Sequence, residues 1–272
     1  MNKVTRLKYY IESLCIYDFE DDDVFSALYD LLCDDEEDTV ALQSYFFKEL
    51  AKSESLKRHI SRLILTNDNI FTKAACAGKV NELSIAVINA VKSDLAKLEE
   101  IASLTAQDIL ADIDDEDIKE ILLTLPGWEV GKPLAPLDSH WDRQLDELIK
   151  YHRENGYGIY AKNIAFTWRD EEITPVNSID PIRLTDLKNY ELQRNKVIDN
   201  TESFIAGHPA NNVLLYGDRG TGKSSTVHAI LNEYWQQGLR MIEIPKSAVA
   251  DLSLIREQIA DSPMKFIIYI DD

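Results

Sequence analysis

The sequence predicts an α/β chain: an acidic all-helical domain followed by a parallel-sheet core. Three observations carry this. Apolar residues recur at helical spacing through residues 1–155, and short, wholly apolar runs alternate with helical stretches after residue 205. A glycine-rich turn, Gly217-Asp218-Arg219-Gly220-Thr221-Gly222-Lys223-Ser224, joins one such run to a helix.

In residues 1–155 the stripes are Leu7, Tyr10, Ile11 and Leu14; Leu56, Ile60, Leu63 and Ile64; Ile88, Val91, Leu95 and Leu98; then Trp141, Leu145 and Leu148. Each needs a partner helix. Acidic clusters at Asp21 to Asp23, Asp34 to Asp38 and Asp112 to Asp117 fall between them, where carboxylates favour helix N-termini and punctuate loops. The last cluster lacks the central glycine and terminal Glu of a calcium-binding EF-hand. Leu125-Pro126-Gly127-Trp128 and Lys132 to Pro136 mark a loop before the final helix, and Asn155-Gly156-Tyr157-Gly158 a domain boundary.

Residues 156–183 read as a linker with a small extended or hairpin element, from Ile159-Tyr160-Ala161 and Ile164 to Trp168. The core, residues 184–272, then runs strand Val213–Tyr216, glycine turn, a helix presenting Val227, Ile230, Leu231 and Tyr234, strand Leu239–Ile244, a helix near 252–260 ended by Asp261-Ser262-Pro263, and strand Phe266–Ile270 closing on Asp271-Asp272. Parallel strands joined by helices place ligands at the strand carboxyl ends.

The glycine turn satisfies G-x-x-x-x-G-K-[ST] at every fixed position. Glycines let successive N–H groups curl around phosphate oxygens, Lys223 can reach the β- and γ-phosphates, and the Ser224 hydroxyl can ligate Mg²⁺. Gly217 to Ser224 and Ser225 are therefore the expected ATP contacts. A buried apolar strand ending in acids is a Walker B pattern; Asp271 is the magnesium candidate and Asp272 the residue expected to orient the attacking water.

Ile182 to Leu187, Tyr190-Glu191-Leu192-Gln193-Arg194, Asn200-Thr201, Phe204 and Asn211 to Gly217 resemble an AAA+-clan family of uncharacterised bacterial ATP-binding proteins, over roughly residues 156–272. In that family Walker B ends in Asp-Asp, as here. The resemblance implies that Gly220 to Ser224 contact phosphate and metal, that Lys223 and Asp272 are catalytic, that Gln193 borders the adenine, and that complete members oligomerise. It also implies a fourth strand between the first and third, and a fifth strand, sensor, arginine finger and helical lid beyond Asp272. The strands at Val213–Tyr216 and Phe266–Ile270 are thus expected either to stand unpaired or to pair directly, and the chain is expected to be a fragment without turnover.

Charge narrows the partners. Residues 1–150 hold 16 basic against 31 acidic side chains, and residues 151–272 hold 13 against 17. So acidic a first half repels phosphate backbones, which disfavours non-specific nucleic-acid binding and leaves an unknown protein client as the expected partner of the helical domain. Cys15, Cys33 and Cys76 and the five histidines show no metal or disulfide spacing. No signal peptide or membrane-length apolar run is present, so the expected location is the cytoplasm. Asn195-Lys196-Val197-Ile198-Asp199 misplaces the acid of a guanine-reading N-K-x-D, and no G-x-S-x-G elbow occurs. Two functions follow: an ATPase working on a client, or a nucleotide-binding switch or loader without significant turnover.

Overall fold

The computed structural model describes residues 1–34, 38–53, 55–176, 178–260 and 262–271; Asp272, part of the Asp34 to Asp38 cluster and Asp261 lie outside the described residues. The fold is mixed α/β, with two compact units, Met1–Tyr151 and His152–Asp272.

The first unit holds helices α1 (Lys3–Glu12), α2 (Asp23–Cys33), α3 (Thr39–Leu50), α4 (Leu56–Leu65), α5 (Ile70–Ala77), α6 (Ile85–Ile101), α7 (Ala106–Leu110) and α8 (Glu116–Leu122). Helix α9 (Leu145–Asn155) carries the chain into the second unit. Small polar residues start these helices. Asn2, Asp22, Ser55, Asn69, Ser84, Thr105 and Asp115 each accept a first-turn N–H, so two of the acidic clusters supply caps. The stripes meet in one core containing Leu7, Leu28, Phe46, Ile60, Leu95 and Trp141. The Pro-rich loop is tied to it: Trp128 stacks edge-on against Phe46 at 4.8 Å, and its Nε1 donates to Leu104 O at 2.9 Å.

The second unit contains α10 (Gly158–Lys162), strands β1 (Ala165–Arg169) and β2 (Glu172–Pro175), α11 (Glu191–Ile205), α12 (Lys223–Tyr234), β3 (Leu239–Pro245), α13 (Leu252–Gln258) and β4 (Lys265–Asp271). The sheet order is β2-β1-β3-β4. The β1–β2 hairpin is antiparallel; β1–β3 and β3–β4 are parallel, with Phe166 opposite Ile242 and Ile242 opposite Ile268. Side chains alternate across the strands, so helices cover both faces. Ile242, Ile244, Phe266 and Ile268 pack with Tyr160 of α10 and Ile255 of α13; Leu239, Met241, Ile267 and Tyr269 pack with Val227, Ile230, Leu231 and Tyr234 of α12.

Two sequence expectations are corrected. Ile159 to Ala161 lie in helix α10 rather than in an extended element. Val213 to Tyr216 form no strand: Leu214 is 83% and Tyr216 88% exposed. The cause is topological. Strand β1 of the hairpin pairs with one edge of β3, and β4 takes the other. Val213–Tyr216 is left with no ladder; Val213, Leu214 and Tyr216 are exposed, and only Leu215 of the four is half-buried, packed against the cluster under α12. Among the described residues no helix is long and apolar enough to cross a membrane.

Candidate functional site

The site begins where α12 begins. Gly222 is the residue before the helix, at φ 83, and Gly220 sits at φ 82. Any residue with a Cβ would be strained at both positions, so the loop turns sharply into the helix only because glycine stands there. No side chain caps α12. Its first-turn N–H groups, which lack intrahelical acceptors, therefore face the loop with the positive end of the helix dipole. Burial of Val227, Ile230, Leu231 and Tyr234 against β3 fixes the helix direction.

The loop is closed by its own side chains. Thr221 Oγ1 donates to Asp218 O at 2.9 Å, and Lys223 Nζ donates to Gly217 O and Asp218 O, both at 2.9 Å. The ammonium is thus held against the loop that its neighbours build. Gly217 to Gly220 are exposed, and Thr221 to Ser225 half-buried, so the N–H groups and hydroxyls of the turn are reachable from solvent.

Strand β4 delivers the second half. Its residues Ile267, Tyr269 and Asp271 share the face covered by α12. The Tyr269 hydroxyl lies 2.8 Å from Ser224 Oγ and 2.8 Å from Asp271 Oδ1. A hydroxyl carries one proton and a carboxylate only accepts, so Tyr269 donates to Asp271 while Ser224 donates to Tyr269. Burial first, and then the Asp271 carboxylate, push the Tyr269 phenol above its ordinary range, while the Ser224 contact opposes them. The phenol remains protonated and able to bridge. His228 of α12 packs edge-on against the same ring at 6.4 Å.

The structure therefore brings Ser224 and Asp271 together at the Tyr269 hydroxyl, with Lys223, next to Ser224 in the chain, held on the loop carbonyls of Gly217 and Asp218. It does not join the others. Gln193 lies exposed in the first turn of α11, and no hydrogen bond among the described residues links it to the loop; Arg219 is exposed at the tip of the turn. Asp272 lies outside the described residues. Sequence reasoning missed Tyr269, which looks like apolar filling in a strand; its position two residues before the acid, on the same face, is the signal that could have found it. It also missed a Glu99–His140–Asp142 group in the first unit, because those residues are remote in sequence.

An open helix N-terminus, a lysine against the Gly217 and Asp218 carbonyls, and a serine and an aspartate sharing one hydroxyl make a set that can hold a phosphate chain and one hard cation. Residues 161–272 match the family model described as Protein of unknown function (DUF815). That span lies within the half of the chain whose sequence resembles an uncharacterised family. No curated protein and no solved structure matches the chain.

Proposed function

We propose that the chain binds ATP with Mg²⁺ at the Gly217–Ser224 loop and acts as an ATPase of the AAA+ type, coupling hydrolysis to conformational work on a protein client engaged by its acidic helical domain. The observation that carries this reading is the meeting of Ser224 and Asp271 at the Tyr269 hydroxyl. These are the two oxygen donors that a phosphate-loop site needs for its cation, and they come from the loop and from the end of a neighbouring strand.

In this reading the residues divide the work. Gly217 to Gly222 and Ser225 supply backbone N–H groups and space; Lys223 places a positive charge at the β- and γ-phosphates; Ser224 and Asp271 hold the cation, which neutralises charge on the phosphate oxygens. Gln193 borders the adenine. Asp272 orients the attacking water.

A second reading, a nucleotide-binding switch or loader without significant turnover, is favoured by one observation: Val213–Tyr216, which leads into the loop, lies off the sheet. A loop not anchored by a paired strand leaves its groups imprecisely placed, and misplacement by about 1 Å can cost on the order of a hundredfold in rate. Calorimetry and phosphate release separate the possibilities. Wild type is expected to bind Mg·ATP and Lys223→Ala to lose that binding; equal affinity in the two proteins overturns the nucleotide site. Phosphate release that requires Lys223 supports the ATPase, and Lys223-dependent binding without release supports the switch.

A further inference from the structure

We propose that Glu99, His140 and Asp142 form a binding site for a zinc-like divalent cation on the helical unit. One ligand atom from each, an imidazole nitrogen and two carboxylate oxygens, lies within 4.8 Å of the other two. Glu99 comes from the long core helix α6; His140 and Asp142 come from a single 3-10 turn, Trp141–Arg143, and the residue before it. Tetrahedral zinc, with bonds of about 2.0–2.1 Å, wants its donors roughly 3.3 Å apart. Side-chain rotation alone can close that gap, since His140 is exposed and the two acids are half-buried.

The frame that carries the donors is already rigid. Each Glu99 carboxylate oxygen accepts one backbone N–H, from His140 and from Trp141, at 3.0 Å each. Those bonds use two of the roughly four lone-pair positions of a carboxylate and leave the others for a cation. N–H donors to a ligating carboxylate are the outer support that orients metal ligands. His140 is held at φ 54, a left-handed conformation, and Trp141 beside it is fully buried. The turn therefore cannot swing its two donors away from α6 without exposing that ring.

The donor set selects the metal. Calcium takes about six to eight oxygen ligands, and magnesium holds near-octahedral oxygen shells. One imidazole and two carboxylates instead suit a borderline first-row cation, zinc above all, with a fourth position left to solvent. The two carboxylates balance the charge of the ion. The site shares no residue with the loop at Gly217–Ser224 and does not depend on its function.

The test uses the whole chain, stripped with a chelator and then titrated. Zn²⁺ is expected to bind with one equivalent at micromolar affinity or better, undisturbed by millimolar Mg²⁺. His140→Gln and Asp142→Asn should each weaken it by at least about tenfold, with circular dichroism unchanged. Co²⁺ in place of zinc should give visible bands without sulfur-to-cobalt charge transfer, which separates this site from Cys15, Cys33 and Cys76. The proposal is overturned if wild type takes up no zinc, if both variants bind as wild type does, or if the cobalt spectrum shows thiolate ligation.

Discussion

Asp94 is fully buried on the core face of α6, yet its Oδ2 accepts the N–H groups of Cys15, Ile16 and Tyr17 at 2.9, 2.7 and 3.3 Å. Those three donors follow α1 in a segment with no ladder of its own, and one carboxylate satisfies them all. Cys15 is exposed, Ile16 half-buried and Tyr17 buried, so removing the carboxylate strands at least the Tyr17 N–H away from water, and a buried donor left unpaired costs about 1–3 kcal/mol. Asp94→Ala is therefore expected to destabilise the first unit by roughly 2–4 kcal/mol, measured by urea unfolding followed by circular dichroism; a loss within error of wild type would show that the donors find water instead. Nothing local to Val91, Leu95 and Leu98 announces this role, because the donors lie almost eighty residues earlier. Lys223, Ser224 and Asp271 could be singled out as candidates for the opposite reason. Each stands in a short local pattern, the glycine loop or an apolar run ending in acids, whereas the contacts of Asp94, Tyr269 and Glu99 form only when distant segments meet.

At the scale of elements, the strands at β3 and β4 and the helix at α12 follow directly from apolar runs and periodicity. Val213–Tyr216 carries the same kind of apolar run and is no strand. The difference is not composition but partnership: a run of this kind becomes a strand only if a neighbour offers an edge, and β1 of the hairpin took the edge of β3 that no local pattern could assign. This yields a contrast that can be measured. Leu231→Ala, in the α12 face packed on the sheet, should cost about 2–5 kcal/mol, whereas Leu214→Ser should change stability by less than about 0.5 kcal/mol. Thermal unfolding of the two variants decides it; a large cost at Leu214 would mean that its segment is packed after all.

For the molecule as a whole, the core of the first unit draws on residues between Val4 and Tyr151, and the two cores of the second on residues between Tyr160 and Tyr269. Each unit thus carries its own apolar interior. Residues 1–155, which keep α9 entire, are expected to fold alone as an acidic helical domain; a disordered far-ultraviolet spectrum, or a cooperative transition seen only with the rest of the chain attached, would refute it. The helical content of this part was legible in its stripes and caps. The way its helices pair was not, since each stripe says only that a partner is needed. The sheet has two very different margins. Strand β2 has four residues and ends in Pro175, whereas β4 has seven, five of them Phe266 to Ile270 in an unbroken apolar series, at the other end of the order. Proline and brevity discourage templating; a long apolar margin invites it. For a cell making this polypeptide, the consequence is a proteostasis burden: wherever no further strand covers it, the apolar margin of β4 can recruit other chains into aggregates, so yield should depend on how quickly folding and chaperones keep it covered.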